Sequence, residues 1–325
     1  VKQKLLIVLA VFLQISPAFA AGTSKARVAK PIVTPTSIHD RKEKIAADII
    51  QAFPDGYGEK IVDDPRFLFE PRIVARYTRR ATPSPVPNPA QPKIPRHGFD
   101  YVINTWSKEH GLDYLAEYGP VFAEAETQFP PVTKDVPTGI LDAETQFGVK
   151  LAANTYPIVK TLLALAAYYP DAKFHPEDQL IAFLSICKKN GWDAYERLGT
   201  RTGAFGLPQF EPLSYEKLAM YWDGTACQPW QMSPVPVDLT NHRDTICSIF
   251  NYLHADGFGG TEAHQGKILL LYNRDVCYCD AILDAADFFA GRPDQHHYSH
   301  VRCAGSRPHK RKLSQTTTLH RAALK

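Results

Sequence analysis

A carboxylate sits where an apolar side chain belongs. Val132, Val136 and Ile140 recur at four-residue spacing and form one ridge of a helix predicted over residues 132–147, flanked by Ala143 and Phe147. Glu144 is the next member of that ridge, one turn before a terminating Gly148. Burial disfavours the charged form of a carboxyl group and raises its pKa. An acid kept protonated near neutral pH can deliver a proton to a leaving group. The bland alternative is a solvated glutamate at a helix end. Asp142 is two residues away, faces elsewhere and cannot share the task. Pro137 is tolerable only in the first turn of this helix.

Two further stretches carry polar groups in unusual settings. Residues 199–212 hold three glycines and two prolines in 14 residues. Such a segment is neither helix nor regular strand. It reads as a shaped loop that lets backbone approach a ligand, with Thr200 and Gln209 as hydrogen-bonding groups. No Gly-Lys-Ser/Thr follows, so it is not a phosphate loop. Later, Tyr272 and Asn273 precede Asp275, which reads as the N-cap of the next helix, and Tyr278. An aromatic ring beside an amide suits a sugar face and its acetamido group. Taken singly, each of these stretches also fits an ordinary loop or turn.

The elements that must position these residues are helices. Periodic apolar residues predict helices over 37–53, 99–118 (with Gly111 as a break), 155–169, 244–253, 264–271 and 276–289, and Pro176-Glu177-Asp178 opens another. The helix over 155–169 is apolar nearly all round and is expected to be central and buried. Strand signals are scarce, so the fold class is mainly α. Residues 81–95 contain six prolines and must be extended.

Charge and cysteines bound the setting. The net charge of the 325-residue chain is +3; residues 1–20 contribute +2 and residues 301–325 contribute +7, leaving −6 on residues 21–300. A mildly acidic body with a basic tail is the wrong distribution for a nucleic-acid-binding fold. Lys2 and Lys4, the apolar run 5–13, Pro17 and Ala18-Phe19-Ala20 fit an export signal cleaved before Ala21. Nine apolar residues are too few to span a bilayer. The first cysteine is Cys187, so no lipid-anchoring cysteine follows the run. A soluble periplasmic product is expected, where the six cysteines permit up to three disulfides. Cys187 also fits a plain core position, and Cys277-x-Cys279 lacks the usual zinc-ligand spacing.

In order and spacing, these motifs resemble the B-type lytic murein transglycosylases. That family's catalytic helix ends Glu-Thr-x-aromatic-Gly, with a valine twelve residues before the acid; here stand Val132 and Glu144-Thr145-Gln146-Phe147-Gly148. Its glycine-rich loop is matched by Gly203-Ala204-Phe205-Gly206 and Gln209-Phe210. Its Asp-Ala-Ile-x-Ser…Asn-Tyr-Leu stretch is similar to Asp244–Ser248 and Asn251-Tyr252-Leu253. Its Tyr-Asn-x-Ser-x-x-Tyr motif is similar to residues 272–278, with Asp275 in place of the serine. Asp64-Pro65-Arg66 and the helices over 99–129 resemble its N-terminal part. The resemblance spans roughly residues 38–290.

The resemblance implies a lysozyme-like helical catalytic domain with a groove over 99–295. Before it would come a signal segment (1–20), a helical segment (21–80) and a proline-rich linker (81–98), and after it a loose basic tail (296–325). It implies cleavage of peptidoglycan glycan strands between N-acetylmuramic acid and N-acetylglucosamine, with 1,6-anhydro ends. Glu144 would be the catalytic acid, then base. Thr200, Gly203, Gln209, Phe210, Tyr272 and Asn273 would bind substrate, and no cofactor is implied. Thr200 replaces the serine that the family holds against the acid. Glu211 replaces a methionine and adds a carboxylate near the loop. Residues 221–225 lack the alternating Asp/Asn of the calcium loop in some members, so no calcium is expected. Two other readings stay open: a muramidase using Glu211 as second carboxylate, and a wall-binding protein without activity.

Overall fold

A computed structural model describes residues 35–68, 103–151, 155–273 and 275–292 of the chain. The signal segment, linker and basic tail expected from the sequence lie outside the described residues. Eleven helices follow one another among those described: α1 Pro35–Ala52, α2 Tyr57–Val62, α3 Thr105–Glu117, α4 Gly119–Gln128, α5 Asp135–Thr145, α6 Ile158–Tyr168, α7 Pro176–Asn190, α8 Pro212–Leu218, α9 His242–Ala255, α10 Glu262–Tyr272 and α11 Val276–Phe289. Four short strands form two antiparallel pairs. β1 Tyr156–Pro157 meets β2 Leu198–Gly199, and β3 Met220–Trp222 meets β4 Cys227–Pro229. No described helix is long and apolar enough to cross a membrane.

Two apolar cores organise these elements. In α6 nine of eleven residues are buried, including Leu162, Leu163 and Leu165, as an apolar circumference requires. α6 packs against α7 and α1, and α8 packs against α7, in one core. The other core is built by α3, α4, α5, α9, α10 and α11, with α5 lying along α11. Tyr272, the last residue of α10, packs against both. Helix ends follow local chemistry. α7 opens at Pro176, places Glu177 and Asp178 in its first turn, and stops at Gly191 with φ 66°.

The N-terminal helices join the core of α6 and α7. Ile45, Ile49, Phe53 and Ile61 are buried in it. Arg66 sits over the Tyr195 ring and pairs with Asp64, Asp193 and Glu196 at 2.8, 3.0 and 3.1 Å. The ion pairs are largely exposed and contribute little; the buried apolar side chains hold the docking.

Several local expectations change. α5 begins three residues after Val132, which is buried just outside it, and Pro137 falls in the first turn. Gly111 does not break α3. It lies inside the helix because Phe289 and Phe147 pack where its side chain would be. Trp106 and Leu112 of α3, though apolar, are 40% and 51% exposed. One disulfide is present among the described cysteines, Cys227 to Cys247, joining β4 to α9; Cys187 and Cys279 are buried free thiols.

Candidate active site

Glu144 lies in the last turn of α5 and is half-buried. The chain leaves the helix through Gln146, Phe147 and Gly148, with φ of 48°, 54° and 89°. Two non-glycine residues in left-handed backbone are costly, and such costs concentrate at functional sites. The turn is closed by Gly148 N–H to the Thr145 carbonyl at 3.1 Å and Lys150 N–H to the same carbonyl at 2.8 Å. The Thr145 hydroxyl donates across to the Leu207 carbonyl at 3.4 Å, fastening the helix end to the glycine-rich loop.

Desolvation pushes the Glu144 carboxyl up to about 7, against the nearby Tyr278 hydroxyl, which favours its ionised form. No second carboxylate among the described residues contributes to the shift. Tyr272 and Tyr278 both feel the Glu144 charge, and burial pushes both phenols well above their ordinary range, so they stay protonated. Their rings are nearly parallel, 6.2 Å apart. Tyr252 meets Tyr272 edge-on at 4.8 Å, and Phe210 meets Tyr252 and Tyr272 at 5.4 and 6.0 Å. A lone carboxyl in an aromatic wall is thus kept a proton donor near neutral pH.

The loop supplies that wall by folding back on itself. Phe205 and Phe210 exchange backbone hydrogen bonds at 3.0 and 3.1 Å. The Tyr272 hydroxyl donates to the Pro208 carbonyl at 2.6 Å, tying the end of α10 to the loop. Gln209 has φ 53°, and its amide donates to the Gly206 carbonyl. Gly203 is buried against Leu162 of α6. Gly206 has φ 77°, and a side chain there would meet Leu239 Cβ at 2.8 Å. Gly206→Ala is therefore expected to cost about 1–2 kcal/mol from the backbone alone, with the Leu239 contact added. The measurement is the urea midpoint, and an unchanged midpoint would refute the packing described.

The structure brings together Glu144, Phe210 and Tyr272. Thr200 it places differently. Its hydroxyl accepts from the Ala204 and Thr202 N–H groups at 3.1 and 3.3 Å and pairs with the Thr202 hydroxyl, shaping its own turn. Asn273 accepts from the Asp275 N–H at 3.2 Å and shapes the turn between α10 and α11. Glu211 accepts from the Gln179 amide at 3.1 Å at the start of α8. Sequence reasoning assigned no role to Tyr278, the one described side chain that shifts Glu144; its place at the end of the Tyr272 motif was the available signal.

The Asp244 stretch is scaffold. Asp244 accepts from Trp222 N–H at 2.8 Å, Ser248 from Met220 N–H at 2.9 Å, and Asn251 donates to the Leu218 carbonyl at 2.9 Å. Burial raises the Asp244 carboxyl to about 6. The turn after β3 is closed by Asp223, which accepts from the Thr225 and Ala226 N–H groups, both at 2.8 Å. Among the described residues no group of three or more His, Cys, Asp or Glu could hold a metal ion.

Comparison with known proteins agrees with this architecture. The family model of the transglycosylase SLT domain matches residues 80–276. Among solved structures, the soluble lytic transglycosylase SltB1 of Pseudomonas aeruginosa superposes with a TM-score of 0.60 at 19% identity, over 76% of this chain and 99% of that one. The Escherichia coli lytic transglycosylase Slt35 in complex with calcium gives 0.59 at 14% identity, over 78% and 94%. SltB3 of Pseudomonas aeruginosa in complex with NAG-anhNAM-pentapeptide gives 0.56 at 17%, over 78% and 80%. These likenesses establish the lysozyme-like fold. No curated protein matches the chain significantly.

Proposed function

We propose, since the chain belongs to the transglycosylase SLT domain family, that it is an exported lytic transglycosylase of peptidoglycan. It cuts the β-1,4 bond between N-acetylmuramic acid and N-acetylglucosamine. The observation that carries this reading is Glu144: one half-buried carboxyl, raised to about 7, among tyrosines and with no carboxylate partner among the described residues. Glu144 gives its proton to the glycosidic oxygen as the bond to the muramyl anomeric carbon breaks. The resulting carboxylate takes the proton of the muramyl C6 hydroxyl, whose oxygen closes onto the anomeric carbon as a 1,6-anhydro ring. No water is consumed, so no second carboxylate is needed to activate one. Gly203, Gln209, Phe210 and Tyr272 form the binding side, where fixed dipoles meet the oxocarbenium-like charge, and Thr200 and Asn273 shape the turns that hold it. The NAG-anhNAM-pentapeptide in complex with SltB3 and the Cys227–Cys247 disulfide, which suits an oxidising compartment, support substrate and location.

The test is the mass of fragments released from purified sacculi. The anhydro product lacks one water relative to the hydrolytic one, and mainly reducing-end muramic acid would overturn the proposal. The engagement of Glu211 with Gln179 gives a second check. Glu211→Met is expected to leave the product anhydro and the rate within about threefold, under 1 kcal/mol of barrier. Abolished turnover in that variant would make Glu211 the second carboxylate of a hydrolase.

A further inference from the structure

Along α3 and at its C-cap every fourth residue carries a flat ring: Trp106, His110, Tyr114 and Tyr118. Residues four apart lie on one face of a helix, about 6 Å apart along its axis. The two halves of this row have different surroundings. Tyr114 is 5% exposed, and its hydroxyl meets His242 Nδ1 at 2.9 Å. Tyr118 stacks on the His242 ring at 5.4 Å. The other half is open. Trp106 is 40% exposed and stacks on the exposed His110, with 4.5 Å between centroids and 18° between planes. His110 in turn meets the Phe147 ring at 6.0 Å. Phe147 is the third residue after Glu144, in the left-handed turn that ends α5. A solvent-facing pair of stacked rings is thus coupled through one buried ring to the end of the helix that carries Glu144.

We propose that Trp106 and His110 form an accessory glycan subsite, which holds a sugar residue of the same strand remote from the bond cut at Glu144. This rests on the peptidoglycan reading above. A pyranose presents a face of C–H bonds that packs flat on an indole, and the indole N–H offers one donor to a hydroxyl or acetamido oxygen. The stack with His110 fixes the orientation of the indole and lowers the entropy lost on binding. The neighbours Thr105, Glu109 and Asp113 are exposed and polar. A narrow aromatic strip edged by polar groups suits a ribbon-like polysaccharide, whereas protein interfaces centre on broader apolar patches. A chain held there and at Glu144 together gains by effective concentration, so the benefit grows with strand length.

The experiment measures binding of peptide-free glycan strands and of a tetrasaccharide to the full chain carrying Glu144→Gln, with and without Trp106→Ala, Trp106→Phe or His110→Ala. Trp106→Ala is expected to weaken binding of long strands about tenfold and to weaken tetrasaccharide binding far less, with Trp106→Phe keeping most of the affinity. Unchanged affinity for long strands, or equal proportional losses on both ligands, overturns the subsite. Should Trp106→Ala fail to fold, the same comparison is made with His110→Ala and Trp106→Phe, for which the order of affinities decides. Parallel digestion of sacculi by the wild type separates the two readings. Strand binding that depends on Trp106 without cleavage defeats the activity and leaves the subsite, while cleavage with Trp106-independent binding does the reverse. Absence of glycan binding in every form defeats both.

Discussion

Glutamine in place of Glu144 is expected to leave a folded protein and to lower fragment release from sacculi by on the order of 10³-fold or more. The amide keeps the shape of the acid but can neither give the first proton nor take the second. Residual activity within about tenfold of wild type, only about 1.4 kcal/mol of barrier, would remove Glu144 from the chemistry. A stability measurement shows that the loss is chemical. The Glu144 carboxyl ionises near its ordinary 4.5 in the unfolded chain and at about 7 in the folded one. Between these values the folded state binds more protons, so stability falls as pH rises. The contribution of this group is fully present below about pH 4.5 and is lost once pH has passed about 7. Glutamine does not titrate and escapes the loss. The urea midpoint of Glu144→Gln relative to wild type should therefore climb across that window, and a relative midpoint that falls would mean the side chain is held by a cation instead.

What the sequence displayed most clearly was local. α7, bounded by Pro176 and Gly191, and α11, whose ends coincide with the predicted ones, are set by their own propensities and periodicity. The out-of-register Glu144 was legible because a ridge of period four makes an intruding carboxylate conspicuous. Contacts made at long range were hidden. Gly111 reads as a helix breaker until Phe289, 178 residues later, is seen to pack against it. Val132 belongs to the ridge in the core but lies ahead of the helix, because burial continues through the preceding loop. The Asp244, Ser248 and Asn251 pattern has the polar character of a site, yet those groups satisfy the backbone around β3. Thr200 could be aligned with a serine held against the acid, but its hydroxyl serves the turn it belongs to. Tyr278 was hidden for the same reason as Gly111: it and Glu144 lie at the ends of two helices that only tertiary packing brings together.

Turnover on sacculi is expected to hold through mildly acidic pH and then to fall by about tenfold per pH unit above an alkaline limb near 7, as Glu144 ionises. The position of the limb reports the desolvation of the carboxyl. Glutamate in water ionises near 4.5, and a limb centred there would mean that Glu144 is solvated. Tyr278 gives the same experiment a sign that burial alone does not fix. Its hydroxyl lies near the carboxylate, favours the ionised form and so holds the pKa down. Tyr278→Phe removes that hydroxyl and leaves the ring, so the limb should move to higher pH, while a move to lower pH would refute its influence on the acid. Glu211→Met should leave the limb in place, because Glu211 is not among the groups that shift Glu144. A displaced limb in that variant would put the Glu211 charge within reach of the acid. The three profiles together separate burial, hydrogen bonding and charge as causes of the elevated pKa, each through a different side chain.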